Sequence, residues 1–285
     1  MKIAITGGAG FIGSRLARAC LDAGHIVIVI DNLANGSCQT VDPRARFYCL
    51  DIRDRKLQTI LQQERPDIVS HHVVQRTTSV WDAAPLVDAD VHIRGLLNVL
   101  DGCVNASVRK FIFASGGNAL YGKVEPERYI VKECDPLCPQ RPCDICKVAG
   151  EWYVRYYTRN YGLTHTILRY ADVYGETDSI LGQHPLTYFT TMLLENRRPV
   201  IRGAATERHD HIFIDDVVQA NVCALKRGKN QTLHISSGQG YDIMQFYCAI
   251  AQLLSSDLLP LQMSDSFAEP ISVVLDNTLA RHVLG

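Results

Sequence analysis

The sequence predicts an α/β fold in which a doubly wound parallel sheet carries helices on both faces. Short β-branched runs alternate with segments whose apolar residues recur at helical spacing, an order typical of strands joined by right-handed helical crossovers. The length of 285 residues and the apolar content of 47% suit one large domain with a full core.

The alternation is clearest in the N-terminal half. Strands are predicted at residues 2–6, 26–30, 67–70, 110–114 and 164–168, with helices at 11–23, 54–64, 85–104 and 144–161. Beyond residue 174 the pattern loosens into helices near 185–197 and from Asp216 and Asp242, and strands near 211–214 and 232–235. We therefore predict a cofactor domain over residues 1–173. A small α/β lobe over residues 174–285, interleaved with the sheet, is expected to bind mainly substrate.

Charge and cysteine content limit the function classes. Twenty-nine Lys and Arg residues against thirty Asp and Glu give a net charge of −1, which leaves no broad basic face for nucleic acid. The longest aliphatic run, residues 26–30, is far below the ~20 residues that span a bilayer, and neither a membrane span nor a signal peptide is predicted. Ten cysteines without an export signal are expected to be mostly reduced, which predicts a cytoplasmic location.

A glycine-rich turn between the first strand and the first helix predicts a dinucleotide site. Gly7, Gly8, Gly10 and Gly13 satisfy both the G-x-G-x-x-G and the G-x-x-G-x-x-G spacings. Such glycines let backbone N–H groups approach a pyrophosphate at the helix N-terminus, as in a Rossmann-type domain. Asp31 ends the second strand, where a carboxylate accepts ribose hydroxyls and repels a 2′-phosphate. NAD is therefore predicted in preference to NADP.

Short motifs spread along the chain carry a resemblance to a known family. They occupy residues 6–13, 31–33, 35–36, 51–54, 120–122, 147–151, 168–170, 173–175 and 214–217. Together they resemble the extended short-chain dehydrogenase/reductases, specifically the NAD-dependent nucleotide-sugar epimerases and dehydratases typified by UDP-glucose 4-epimerase. The resemblance implies 4-epimerisation through a transient 4-keto sugar. It also implies a nucleotide-sugar substrate, with a UDP-sugar favoured, and a homodimer formed by the helices near 85–104 and 147–161.

The resemblance also implies a set of cofactor contacts. Asp51 and Ile52 are expected to meet the adenine, and Tyr170 is expected near the nicotinamide. Val73 and Val74 stand where small residues usually let the dinucleotide approach, and His92 stands where an Asn is usual. The expected cofactor residues are Gly7, Gly10, Phe11, Ile12, Gly13, Asp31, Asn32, Asn35, Gly36, Asp51, Ile52, Val73, Val74, Lys147 and Tyr170.

The catalytic residues implied by the resemblance are only partly present. The family uses a Tyr-x-x-x-Lys pair together with a Ser or Thr, and here Lys147 is kept while Cys143 stands at the tyrosine position. Gly117 stands at the hydroxyl position. A nearby ammonium lowers a thiol pKa, so a Cys143 thiolate one helical turn from Lys147 is a candidate base, although its sulfur is short for the task. Asn118 and Tyr121 are further catalytic candidates.

Two substrate positions differ as well. Asp172 replaces the Asn that contacts the nucleotide-sugar, and His209 replaces the Arg that pairs with its diphosphate. A carboxylate repels a diphosphate, so a UDP-sugar would need another cation. Arg208 is expected to supply that cation if the backbone shifts by one residue.

Other readings stay open at this stage. Catalytic impairment with a structural or regulatory role is one alternative, and a nucleotide-sugar dehydratase or reductase is another. Four cysteines within thirteen residues also suggest a zinc site, but a single C-x-x-C pair is weak evidence and no metal is expected there. The cysteines are Cys134, Cys138, Cys143 and Cys146.

Overall fold

A computed structural model describes residues 1–75, 84–122, 124, 129–176, 185–202, 207–263 and 272–285. Its strands are β1 (Lys2–Thr6), β2 (Ile26–Asp31), β3 (Arg46–Cys49), β4 (Ile68–His71), β5 (Lys110–Gly116), β6 (Ile130–Val131), β7 (Thr164–Tyr170), β8 (Asp172–Tyr174), β9 (Val200–Arg202), β10 (Arg208–Phe213), β11 (Gln231–Ile235), β12 (Gly240–Asp242), β13 (Leu261–Met263) and β14 (Val274–Leu275).

The helices alternate with these strands. They are α1 (Phe11–Asp22), α2 (Lys56–Glu64), α3 (Pro85–Ala89), α4 (Leu96–Asn105), α5 (Asn118–Tyr121), α6 (Pro142–Tyr161), α7 (Pro185–Leu194), α8 (Ile214–Ala224), α9 (Ile243–Leu253) and α10 (Thr278–Leu284). A 3-10 turn covers Cys38–Thr40, and a π-helical segment, Asp90–Gly95, joins α3 to α4. Within the described ranges, none of these helices is long and apolar enough to cross a membrane.

Seven parallel strands form the main sheet, in the order β11-β7-β5-β4-β1-β2-β3. This order confirms the predicted fold class, because the chain winds outward from β1 in both directions. The C-terminal half contributes β11 to one edge, as the predicted interleaving requires. A boundary near residue 173 remains a prediction.

The main sheet is buried on both faces, which explains the near-continuous apolar runs of its strands. Ile3 and Ile5 of β1 pack into the core on one face, while Ala4 faces the core on the other with Ile28 and Ile30 of β2. A third, smaller core lies in the C-terminal lobe. It is formed by Phe189, Leu193, Ile201, Tyr247, Ile250 and Ala251.

A buried ion pair fixes α6 against the sheet. Glu151 of α6 accepts hydrogen bonds from Arg169 of β7, at 2.8 Å from Nε and 2.7 Å from Nη2. Ser115 of β5 donates to the same carboxylate at 2.7 Å. Both charged side chains are almost fully buried, so this geometry holds the middle of α6 in one position over the ends of β5 and β7.

Candidate active site

An open cleft lies at the carboxyl ends of β1, β2, β3 and β4, the edge where α/β sheets bind ligands. It encloses ≈ 560 Å³, including the solvent at its mouth. Its lining residues are Gly7, Gly10, Ile30, Asp31, Asn32, Ala34, Asn35, Gly36, Leu50, Asp51, Ile52, His72, Val73, Val74, Gln75 and Val91.

The glycine turn at the floor of the cleft needs glycine for steric reasons. Gly7 has a φ of +74°, which L side chains rarely adopt. A Cβ on Gly13 would lie 2.2 Å from the Gly7 carbonyl oxygen, so no larger residue fits there. The close turn leaves the N-terminus of α1 facing the cleft, which fits a pyrophosphate.

Two carboxylates shape the adenosine end of the cleft. Asp31 accepts hydrogen bonds from the backbone N–H groups of Ala9 at 3.0 Å and Leu33 at 2.8 Å. Asp51 binds the Arg53 guanidinium through both carboxylate oxygens, at 2.8 and 2.7 Å, and this contact holds the pKa of Asp51 well below its usual range. Arg53 is already paired with Asp51 and Asp90, so it is not free to bind a 2′-phosphate, and these residues fit NAD better than NADP.

Ten of the expected cofactor residues line this cleft and five do not. Phe11, Ile12 and Gly13 lie in the first turn of α1, and Lys147 and Tyr170 lie elsewhere. The Tyr170 hydroxyl donates to Asn221 at 3.0 Å inside the core, so its polar group is directed away from the cleft. Six lining residues were not predicted, His72 and Gln75 among them, although both lie within four residues of the end of β4, where a strand end meets the cleft.

Lys147 is held by two backbone carbonyl groups at the end of the sheet. Its Nζ donates to Ala114 O at 2.9 Å and to Val73 O at 3.3 Å. The amine also lies 5.1 Å from the centre of the Phe113 ring. Burial lowers the pKa of Lys147 to about 8, although nearby acidic groups oppose this shift.

Three histidines close to Lys147 are neutral. Burial lowers the pKa of His72 and of His92 to about 3, with a further contribution from the Lys147 charge. The same causes hold the pKa of His71 well below its ordinary value. His92 uses Nε2 to accept the backbone N–H of Gln75 at 3.1 Å, so its ring supports the loop that lines the cleft.

The predicted Cys143 thiolate is wrong. Burial raises the pKa of the Cys143 thiol, and the adjacent Asp144 carboxylate raises it further. The thiol donates to Asp144 Oδ1 at 3.7 Å, and Arg141 binds the same carboxylate at 2.6 Å. The thiolate prediction took account of Lys147 but not of Asp144, the residue next to Cys143, whose carboxylate opposes a negative charge on the sulfur. Cys143 is therefore a neutral thiol at physiological pH.

Gly117, at the position where the family carries a Ser or Thr hydroxyl, has no room for a side chain. A Cβ on Gly117 would lie 2.1 Å from the backbone oxygen of Tyr170, so a serine does not fit there without a backbone shift. Tyr121 does not replace it, since its buried hydroxyl accepts from Arg169 at 2.7 Å and contacts His234 Nε2 at 2.5 Å. The contacts of Tyr121 are those of a structural residue in the network around Arg169.

Asn118 links the end of β5 to the substrate end of the site. Its Nδ2 donates to Asp172 Oδ2 at 3.3 Å and to the backbone oxygen of Asp210 at 3.1 Å. Its Oδ1 is buried and has no hydrogen-bond partner among the described residues. Asp172 is 49% exposed, yet desolvation by the surrounding protein raises the pKa of its carboxyl. Asn118 and Asp172 thus form one polar unit.

Strand β10 turns only one of the two expected basic residues towards Asp172. His209 Nδ1 lies 4.0 Å from Asp172 Oδ2, and its Nε2 lies 3.3 Å from Glu207 Oε2. Side chains alternate along a strand, so Arg208 faces the other way, with its guanidinium 6.0 Å from the centre of the Tyr129 ring. The expected substitution by Arg208 is therefore wrong, and Glu207 is a site residue that the sequence analysis missed.

The cysteine cluster does not assemble. All ten cysteines are free, with Cys134 and Cys138 exposed, Cys143 half-buried and Cys146 buried. Across the described parts of the chain, no three His, Cys, Asp or Glu side chains are arranged to hold a metal ion.

Comparisons with known proteins identify the family. The sequence pattern of the NAD dependent epimerase/dehydratase family matches residues 3–236. The chain belongs to this family. Family membership confirms the predicted resemblance, the enzyme class and the NAD cofactor.

Relatives with known names match this chain over most or all of its length. A protein of Methanocaldococcus jannaschii described as a putative UDP-glucose 4-epimerase is 33% identical over 86% of this chain and 80% of its own length. The UDP-glucose 4-epimerase of Thermotoga maritima, solved with UDP-glucose, has a TM-score of 0.95 at 33% identity, covering 100% of this chain and 93% of that one. The UDP-glucose 4-epimerase of Thermus thermophilus, solved with NAD, has a TM-score of 0.90 at 29% identity, covering 99% and 92%.

The close approach at Gly117 makes a stability prediction. Gly117→Ala places a methyl group against the backbone oxygen of Tyr170, and we expect a loss of about 1–3 kcal/mol of unfolding free energy in urea titrations. The matched control is Gly116→Ala, whose methyl group meets only the flexible Leu120 side chain at 3.1 Å. Equal stability of the two variants would contradict this account of Gly117.

The neutral state of His92 makes a pH prediction. Its folded pKa of about 3 lies below the ordinary value of 6.5, so the unfolded chain binds a proton that the folded chain excludes. The contribution of neutral His92 to the unfolding free energy is fully present above pH 6.5 and is lost as the pH falls towards 3. Between pH 7 and pH 5, the parent should lose ~2 kcal/mol more unfolding free energy than His92→Asn. Parallel stability curves for the two proteins would show that His92 is not buried in its neutral form.

Proposed function

We propose that this protein is an NAD-dependent nucleotide-sugar 4-epimerase acting on a UDP-sugar. The observation that carries the proposal is the full-length match to the UDP-glucose 4-epimerase solved with UDP-glucose, at a TM-score of 0.95. The cleft that fits NAD and the amine of Lys147 beside it are consistent with the same reaction.

In such a reaction, different side chains of the site would bind the cofactor and the sugar. NAD, when bound, supplies the acceptor that oxidises the sugar carbon and later returns the same hydrogen. The Asp31 carboxylate is placed to accept ribose hydroxyls, and the N-terminus of α1 is placed to hold the pyrophosphate. At the other end, the Asn118 and Asp172 pair offers hydrogen-bonding groups to the sugar, and His209 is the nearest basic side chain.

An impaired enzyme is the second candidate, and two observations favour it. The hydroxyl position at Gly117 is sterically closed, and Cys143 is a neutral thiol in place of the usual phenol. Losing a well-placed general base costs roughly 10²- to 10⁴-fold in rate. A protein of this kind would bind NAD without appreciable turnover.

A product assay separates these candidates. Purified protein is incubated with NAD and, in turn, UDP-glucose, UDP-N-acetylglucosamine and dTDP-glucose, and products are followed by proton NMR. We expect the 4-epimer of a UDP-sugar to form. NAD binding by calorimetry without any product would favour the impaired member, and a 4-keto-6-deoxy product would identify a dehydratase instead. A reaction that proceeds equally well without added or bound NAD would contradict the proposal.

We also propose that the protein is a cytoplasmic homodimer. The outer faces of α3 and α6 expose large apolar side chains, including Leu86 at 86%, Trp152 at 67% and Tyr156 at 50%. Adjacent exposed aromatic residues of this size are typical of a protein interface. The free cysteines agree with a reducing compartment.

The interface prediction has a matched control. Trp152→Glu should convert the dimer to a monomer in light scattering at micromolar concentration, because a buried charge without a partner opposes association. Leu253→Glu changes an even more exposed apolar residue, on α9, and should leave the dimer intact. A parent protein that is already monomeric under these conditions would exclude the homodimer.

A further inference from the structure

The two carbonyl groups around Lys147 match the hydrogen-bonding capacity of a neutral amine. An –NH₂ group has two N–H donors and one lone pair, and both donors are used by Ala114 O at 2.9 Å and Val73 O at 3.3 Å. An ammonium would need a third acceptor. Among the described residues, no carboxylate lies within ion-pair distance of this Nζ. The lone pair of the neutral amine is therefore left for a different partner.

The side chain one helical turn earlier leaves room for that partner. Cys143 ends at its sulfur, which is directed at Asp144 Oδ1 rather than at the amine. The phenol that usually stands between this lysine and the substrate is missing. Lys147 as a whole residue is only half-buried. We infer that a substrate hydroxyl, or a water bridging to it, approaches the amine on the side that the missing phenol leaves open.

The charges around the amine allow it to lose and regain a proton near neutral pH. Burial is the largest influence and lowers the pKa of Lys147 to about 8. The groups that oppose this shift are Cys143, Asp144, Cys146 and Glu151. Lysine is suited to such a role, because its pKa responds strongly to burial.

We propose that Lys147 is itself the proton carrier of the reaction, accepting the proton of the sugar hydroxyl directly or through one water. This inference rests on the proposed function. The O–H bond breaks as an N–H bond forms on Nζ. The electron pair of the O–H bond becomes the second bond of the carbonyl, and the carbon-bound hydrogen leaves with its own electron pair to the oxidised cofactor. The resulting ammonium gives its proton back when the carbonyl is reduced.

The test replaces the amine with a cation that keeps its proton. Lys147→Arg retains donors for both carbonyl groups but cannot act as a base near neutral pH, so epimerisation should fall by at least 10²-fold while NAD binding is retained. The matched control is Lys110→Arg at the other end of β5. Lys110 also donates to two carbonyl oxygens, those of Ala224 and Arg227, and burial also lowers its pKa to about 8. This control should remain active.

A second readout does not depend on activity or on the folding of a variant. The parent protein, with NAD and without it, is labelled with trace acetic anhydride between pH 6 and pH 10, and each lysine is quantified by mass spectrometry. Labelling of Lys147 should rise with a midpoint near pH 8. In a separate activity assay of the parent, the rising limb of the pH–rate profile should have the same midpoint.

The possible outcomes separate the two proposals. An active parent together with an active Lys147→Arg variant overturns the inference and leaves the epimerase proposal standing. A labelling midpoint above pH 10 for Lys147 has the same effect. A parent that forms no epimer from any nucleotide-sugar overturns the proposed function, and the role of Lys147 in that reaction falls with it.

Discussion

The buried pair of Glu151 and Arg169 is the interaction on which the geometry of the site depends. It ties α6 to β7, and the hydrogen bond from Ser115 ties the same carboxylate to β5. Lys147 lies one helical turn before Glu151, so the position of its amine against the Ala114 carbonyl follows from this anchor. Breaking a buried pair by removing one partner costs about 3–5 kcal/mol, which is a large part of the stability of a domain.

The missing phenol and the missing hydroxyl are linked through packing. At Gly117 the chain runs against the backbone of Tyr170, a close approach that excludes any side chain and therefore any hydroxyl at this position. The next residue, Asn118, carries the polar group instead and directs it to Asp172 rather than to α6. The tyrosine phenol and the Ser or Thr hydroxyl, which usually act on one proton, are thus both absent. Lys147 is kept, and its amine donates to two backbone carbonyl groups.

Much of the fold was predictable because burial on both faces imposes apolar runs on the strands. The strand β3 was missed because its residues, Arg46–Cys49, are only partly buried at the edge of the sheet. The cofactor cleft was also largely predictable, since its lining follows the strand ends. The protonation state of Cys143 was not predictable, because it depends on Asp144 and Arg141. These two side chains meet only when the turn before α6 is folded. The spacing of residues along a helix shows which side chains are neighbours, but it does not show which charged group is oriented towards the Cys143 thiol.

Cofactor binding and proton transfer are built from different parts of this chain, so they can change separately. The cleft is made by the ends of β1 to β4, and its polar lining includes the side chains of Asp31 and Asp51 beside backbone groups. In the proposed function, proton transfer would depend instead on α6 and on the end of β5, and substrate recognition would depend on β8 and β10. At β10, His209 lies between Asp172 and Glu207, so two carboxylates flank its imidazole. If the diphosphate of the proposed UDP-sugar lies beside His209, it meets less positive charge there than an arginine would supply.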